Sequence, residues 1–257
     1  MNAHKQNMNS DTVNAGAASK AAGNDTPTYL VCGCKSWNEE VFDRTLAKLP
    51  GRWVYIGHKD QLTAEAVASY QPTYLFFLHW SWLVPEAIHT QYPCVCFHMT
   101  DVPFGRGGSP LQNLIVRGHK QTMLTALQMV AQLDAGPVYL KQPMSLAGSA
   151  QDILVRSSEL AARMILEIVT TKPQPVPQQG EVVEFQRRKP HESQLPEGLS
   201  TAQTYDYIRM LDGEGYPPAF IEQGGMRFEF NAAQLLDNNQ LVANVRITPI
   251  HQKDESK

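Results

Sequence analysis

The chain has no surplus of positive charge: 22 Lys and Arg stand against 25 Asp and Glu, for a formal net charge of −3. No global field therefore draws it to nucleic acid or to an anionic membrane. It also lacks any run near the roughly 18 to 20 apolar residues that a membrane-spanning helix needs. Cysteine is scarce, with four in 257 residues, and none stands in the Cys-x-x-Cys spacing usual for structural zinc. Cys32, Cys34, Cys94 and Cys96 instead form two Cys-x-Cys pairs inside apolar, strand-like runs, "TYLVCGC" and "CVCF". A four-thiol zinc site is the sharper reading of that spacing. The plainer one, small hydrophobes on one strand face beneath a covering helix, is adopted, with no metal expected. The segment from Met1 to about Pro27 is rich in Asn, Ala, Gly and Ser without an apolar centre. It is read as a disordered tail rather than an export signal, and disulfides are not expected.

What is present is an alternation. Strand-like runs at Thr28 to Cys34, 52–58, 72–80 and Cys94 to His98 are separated by helix-like segments after Trp37, at 61–70 and at 85–92. Strands apolar on both faces and alternating with helices predict an α/β fold with a doubly wound, mostly parallel sheet. A loop over 99–110 leads to a helix opened by Pro110 and stopped near Gly118. An antiparallel pair then turns at Ala135-Gly136-Pro137. The run 149–171 predicts a long amphipathic helix, with Ser149 as N-cap and Asp152 three residues on. This places a catalytic domain at 28–171, a proline-rich linker and connecting strand at 172–186, and a small C-terminal α+β lobe at 187–257. The lobe holds a helix near 200–213 and two strands, near 218–231 and 241–248.

Ligands of open parallel sheets bind beyond the carboxyl ends of the strands, where strand order reverses. The third strand delivers "HWSWLVP" there and the fourth delivers His98. Asp134, before a turn, can fold back toward the same edge. A histidine with a carboxylate partner is an acid–base or oxyanion-stabilising unit. The plain alternative is a core histidine bonded to a structural aspartate.

The stretch "FHMTDVPFGRGGSPLQNLIVRG", followed by "LDAGPVYL", resembles the folate-dependent formyltransferases over roughly residues 28 to 190. That family carries an Asn-x-His, a loop to a Pro-x-x-x-Gly-x-x-Pro-like segment, and an Asp-x-Gly some 36 residues after the histidine. His98, the stretch Arg106 to Pro110, and Asp134 fall in those places. The resemblance implies 10-formyltetrahydrofolate as donor and an amine as acceptor, with His98 and Asp134 catalytic. One position departs, since Cys96 stands where the family has asparagine. In the family that amide helps hold the formyl oxygen, and a thiol is a weaker donor. Three readings stay open: Cys96 does the job weakly, Asn113 substitutes, or the site is degenerate and the protein is a folate- or sugar-binding module.

The same resemblance assigns folate to His79, Trp80, Ser81, Trp82, Leu83 and Val84, together with Asp134; core packing of Trp80 and Trp82 is the alternative. Met99, Thr100, Phe104, Gly105, Arg106, Gly107, Gly108, Ser109 and Asn113 are expected to meet the substrate. Arg187-Arg188-Lys189 is read as a solvated charge run rather than a phosphate contact. Among acceptor classes, glycinamide ribonucleotide is disfavoured by the acidic "CGCKSWNEE" where a phosphate loop would lie. Methionyl-tRNA is disfavoured by the short lobe and the net negative charge. The N-formyltransferases of nucleotide-linked amino sugars for bacterial surface glycans fit best. With that reading come a cytoplasmic enzyme, a homodimer, and no nucleic-acid or membrane partner.

Overall fold

The computed structural model describes residues 26–250. The expected tail lies outside the described residues except for Thr26 and Pro27. The central sheet has six strands: β1 (Thr28–Gly33), β2 (Arg52–Ile56), β3 (Tyr74–Leu78), β4 (Cys94–His98), β6 (Gln121–Gln128) and β7 (Val138–Ser145). Their order is β2-β1-β3-β4-β6-β7; the first four are parallel, and β6 runs antiparallel to both β4 and β7. Successive strand residues point to opposite faces, and both faces are covered. Tyr29, Val31, Phe76 and Val95 face one apolar layer under α1 (Ser36–Arg44) and α5 (Ala150–Thr171). Leu30, Cys32, Leu75, Phe77 and Cys94 face a second layer under α2 (Ala64–Tyr70) and α3 (Glu86–His89). Phe76 and Phe77 are fully buried on these opposite layers, each stabilising the fold by about 1.5–3 kcal/mol.

The thiols of Cys32 and Cys94 are therefore core atoms, and Cys96 packs partly buried against the same layer. Among the described residues no group of His, Cys, Asp and Glu is placed to hold a metal ion, and no helix is long and apolar enough to cross a membrane. α5 starts where the sequence signals it. The Ser149 hydroxyl accepts from the Asp152 N–H, and the Asp152 carboxylate accepts from the Ser149 N–H, a cap contributing about 1 kcal/mol.

Two segments differ from expectation. The stretch after His98 is not loop throughout: β5 (Phe104–Gly107), followed by α4 (Pro110–Val116), pairs in parallel with β8 (Val183–Phe185). This long-range pairing leaves no local periodicity to read. The run at 218–231 is not one strand but a hairpin, β9 (Ala219–Gln223) and β10 (Met226–Leu235), turned by Gly224 and Gly225, both at positive φ. It forms a three-stranded antiparallel sheet with β11 (Leu241–Pro249). The C-terminal segment packs onto the main core. Phe185, Tyr207, Ile208, Met210, Leu211 and Ala219 join the apolar layer that Val31 and α5 share. α6 (Thr201–Arg209) carries Arg209 into that seam, where its guanidinium donates to the carbonyls of Leu146 and Gly148.

Candidate active site

The strand order reverses beside β1, with β2 on one side and β3 on the other. Beyond the carboxyl ends of β1, β3 and β4 lies a cleft of about 700 Å³, within the usual range for small-molecule sites. β4 ends at His98, buried at the cleft wall. Its Nε2 lies 2.8 Å from the Gly105 carbonyl oxygen. A carbonyl only accepts, so Nε2 carries a proton, and Nδ1 is the ring nitrogen left to face the cleft. Nδ1 stands 3.6 Å from Asp134 Oδ1, an ion-pair distance rather than a hydrogen bond. Asp134 sits at φ 53° in the turn between β6 and β7, and its Oδ2 accepts from the Gly107 N–H at 2.9 Å. One carboxylate oxygen thus fixes the β5 backbone and the other faces the imidazole.

Gly107 is required there. Its φ is +100°, and an added Cβ would come within 2.6 Å of the Phe185 carbonyl oxygen. The loop before it is pinned from β6, where Thr125 and Thr122 donate to the carbonyls of Thr100 and Met99. Gln178, in the proline-rich linker, completes the support. Its amide donates to the carbonyls of Asp134 and Gly136, and its oxygen accepts two bonds from Arg106. Nothing in the linker's composition marks Gln178 for that role.

The opposite wall comes from the β3 loop. His79, at φ 46°, is knitted into α1 and α5. Trp37 Nε1, which can only donate, stands 3.1 Å from His79 Nδ1, and Ser157 Oγ lies 2.8 Å from Nε2. Nδ1 is therefore the acceptor and the ring is neutral; burial, with Lys35 nearby, lowers its pKa to about 4. The unfolded chain binds a proton at this ring below about pH 6.5 and the folded chain only below about pH 4, so stability is full above pH 6.5 and falls between those values. The loss expected across that window is on the order of 3 kcal/mol. Urea unfolding at pH 7.5 and pH 4.5 measures it, and His79→Gln should flatten the difference. Equal slopes for both proteins would remove His79 as the cause.

Of the residues expected to touch donor or acceptor, His79, Trp80, Ser81, His98, Met99, Gly107, Gly108, Ser109 and Asp134 line the cleft. Trp82, Leu83, Val84, Thr100, Phe104, Gly105, Arg106 and Asn113 do not. Leu83 is 93% exposed, and Trp82 packs edge-on against Trp80 and His58. Asn113 is not a spare oxyanion donor: its amide donates to the carbonyls of Gly108, Ser109 and Gln186, and its oxygen accepts from Arg117.

Cys96 also lies outside the cleft lining. Its thiol donates to the Leu127 carbonyl at 3.7 Å, and burial pushes its pKa well up. Neither Cys96 nor Asn113 lines the cleft, and both side chains are bonded to backbone carbonyls. Cys96→Ala is accordingly expected to keep near wild-type turnover, while Cys96→Asn gains none and loses about 1–3 kcal/mol by burying an amide without partners. Turnover and urea unfolding of the two variants test this; a faster Cys96→Asn enzyme would return the position to the reacting centre.

The run Arg187-Arg188-Lys189, read as solvated, keeps Arg187 and Lys189 exposed and at the same time lines the cleft, as do Lys35, Gln112, Glu214 and Tyr216. Local sequence does not show this. The run is carried there by the pairing of β8 with β5, and the Arg188 N–H donates to Ser109 Oγ.

A doubly wound sheet with a His–carboxylate pair at its switch-point cleft defines an α/β enzyme class, and comparison with known proteins specifies it. A methionyl-tRNA formyltransferase from Clostridium thermocellum superposes with a TM-score of 0.82 at 42% identity, covering 87% of this chain and 99% of that one. The chain belongs to the formyltransferase family. The family profile for the methionyl-tRNA formyltransferase C-terminal domain matches residues 190–248. HypX from Aquifex aeolicus, solved with tetrahydrofolic acid, shares the fold at TM-score 0.65 and 18% identity over 80% of this chain and 37% of that one. A sugar N-formyltransferase from a Shewanella species does so at 0.56 and 13%, over 88% and 99%. The chain spans about half the length of the curated methionyl-tRNA formyltransferases it matches, 44% of that from Gluconobacter oxydans.

Proposed function

We propose that this protein transfers a formyl group from 10-formyltetrahydrofolate to the amine of a nucleotide-linked amino sugar. The observation that carries the transfer is the His98–Asp134 pair at the cleft, with Nε2 bonded to Gly105 and Nδ1 facing the carboxylate. The cleft wall suits the donor. Trp37, Trp80, Phe97 and Leu154 supply apolar surface, and Trp80 Nε1 is a buried donor without a partner. A pterin, apolar on its faces and rich in heteroatoms at its edge, meets both features. When bound, the donor supplies the formyl carbon.

The chain's own residues do the rest. His98 Nδ1 accepts the proton that the acceptor nitrogen sheds as it forms its new bond, and Asp134 stabilises the resulting imidazolium. The protonated ring is then a donor to the oxygen that gains charge in the tetrahedral stage, and it returns its proton to the donor nitrogen as the bond from that nitrogen to the formyl carbon breaks, which restores the neutral ring. Gly105 holds the ring through Nε2, so no rotation is needed between the two roles.

The amino-sugar acceptor is supported by the size of the cleft, by the net negative charge of the chain, and by the fold shared with a sugar N-formyltransferase. A second reading, transfer to methionyl-tRNA, is favoured by the names of the relatives with the higher identities. A homodimer acting in the cytoplasm is part of the first proposal. Incubation with donor and a panel of nucleotide-linked amino sugars, read by mass, should show the gain of one formyl group on one of them. Formylation of methionyl-tRNA alone would establish the second reading instead.

A further inference from the structure

The cleft has one strongly cationic wall. Lys35, Arg187, Arg188 and Lys189 line it against two carboxylates, Asp134 and Glu214, although the whole chain is net negative. Both carboxylates are engaged, Asp134 by His98 and the Gly107 N–H and Glu214 by Lys35 at 3.9 Å. Arg188 is spent as well: its guanidinium donates to the Tyr207 hydroxyl and the Glu192 carbonyl. Arg187 and Lys189 enter none of the ion pairs formed among the described residues. Glu192, whose carboxylate accepts from the Lys189 N–H, offsets part of this charge, and the two cations leave a net positive field along the cleft.

Their position relative to the reacting centre is fixed by backbone. The Gly108 N–H donates to the Phe185 carbonyl at 3.0 Å, and a Cβ on Gly108 would lie 2.5 Å from Arg187 Cβ. Gly107, next in the chain, is bonded to Asp134. The cationic wall thus borders the 107–109 side of the cleft, whereas the apolar wall with Trp80 belongs to the β3 side. We infer that Arg187 and Lys189 form an anion subsite that takes the diphosphate of the acceptor. This rests on the amino-sugar reading above. The glutamate tail of the donor offers similar anionic chemistry, and the test separates the two.

The test uses the full chain and its variant Arg187→Gln/Lys189→Gln, both positions exposed enough to leave folding intact. Calorimetric titration with inorganic pyrophosphate is expected to weaken by about tenfold to a hundredfold in the variant, as loss of charged hydrogen bonds implies, while tetrahydrofolate binds as before. Unchanged pyrophosphate affinity overturns the subsite. Weakened tetrahydrofolate binding with pyrophosphate unaffected assigns the wall to the donor, and loss of tRNA binding alone assigns it to an RNA backbone; either overturns the inference. The acceptor reading fails separately: if no amino-sugar nucleotide is formylated but the variant still loses pyrophosphate, the anion subsite stands and its sugar does not. If a sugar is formylated with the same KM by both proteins, the subsite falls and the sugar reading stands.

Discussion

Replacing His98 with asparagine is expected to lower turnover by roughly 10²- to 10⁴-fold, the span ascribed to a positioned acid–base group, with tetrahydrofolate affinity near wild type. The separation follows from geometry. His98 touches the cleft through Nδ1, beside Asp134, while the unpaired Trp80 Nε1 is carried by the loop after β3. Asparagine also forfeits the bond from Nε2 to Gly105, a cost of about 1–3 kcal/mol that a domain of ordinary stability survives. Single-turnover rate and donor affinity, measured together, decide the matter. Wild-type turnover in a folded His98→Asn protein would make the histidine a structural residue and withdraw the mechanism.

Much of this site could be read from the sequence, because the residues that define it follow local rules. Alternating Tyr29, Leu30, Val31 and Cys32 must feed two apolar layers once the segment is a strand. Ser149 and Asp152 mark the start of α5 by a short-range bond. A histidine closing an apolar strand arrives at the carboxyl edge by construction, and Asp134 stands before a turn that returns to it. What was not legible depends on contacts between distant segments. Arg187 and Lys189 look like any solvated run until β8 pairs with β5 and carries them into the cleft. Gln178 binds Arg106 and the Asp134 turn across more than 40 residues. Cys96 stands two residues before His98, as the family asparagine does, yet its thiol turns to Leu127. Sequence position located the residue; only the packing showed where its side chain points.

The carboxylate makes the complementary case, because Asp134 holds two jobs on two oxygens. Oδ2 accepts from Gly107 N–H and holds β5; Oδ1 faces the imidazole at 3.6 Å. Asp134→Asn can keep the first, since its amide oxygen still accepts from Gly107, but it removes the charge. At this separation and an effective dielectric near 20, an ion pair is worth about 4 kcal/mol before solvation is counted. The imidazolium that forms on proton transfer loses that support, and turnover is expected to fall by about 10²-fold or more, with unfolding free energy close to wild type. Asp134→Ala removes the anchor too, so it should lose turnover at least as severely and also lose about 1–3 kcal/mol of stability, the cost of leaving the Gly107 N–H unpaired. Initial rates and urea unfolding of both variants separate the roles. If the asparagine variant matches wild type in turnover while the alanine variant fails in both, Asp134 serves only as a clamp on the loop, and His98 works without a carboxylate.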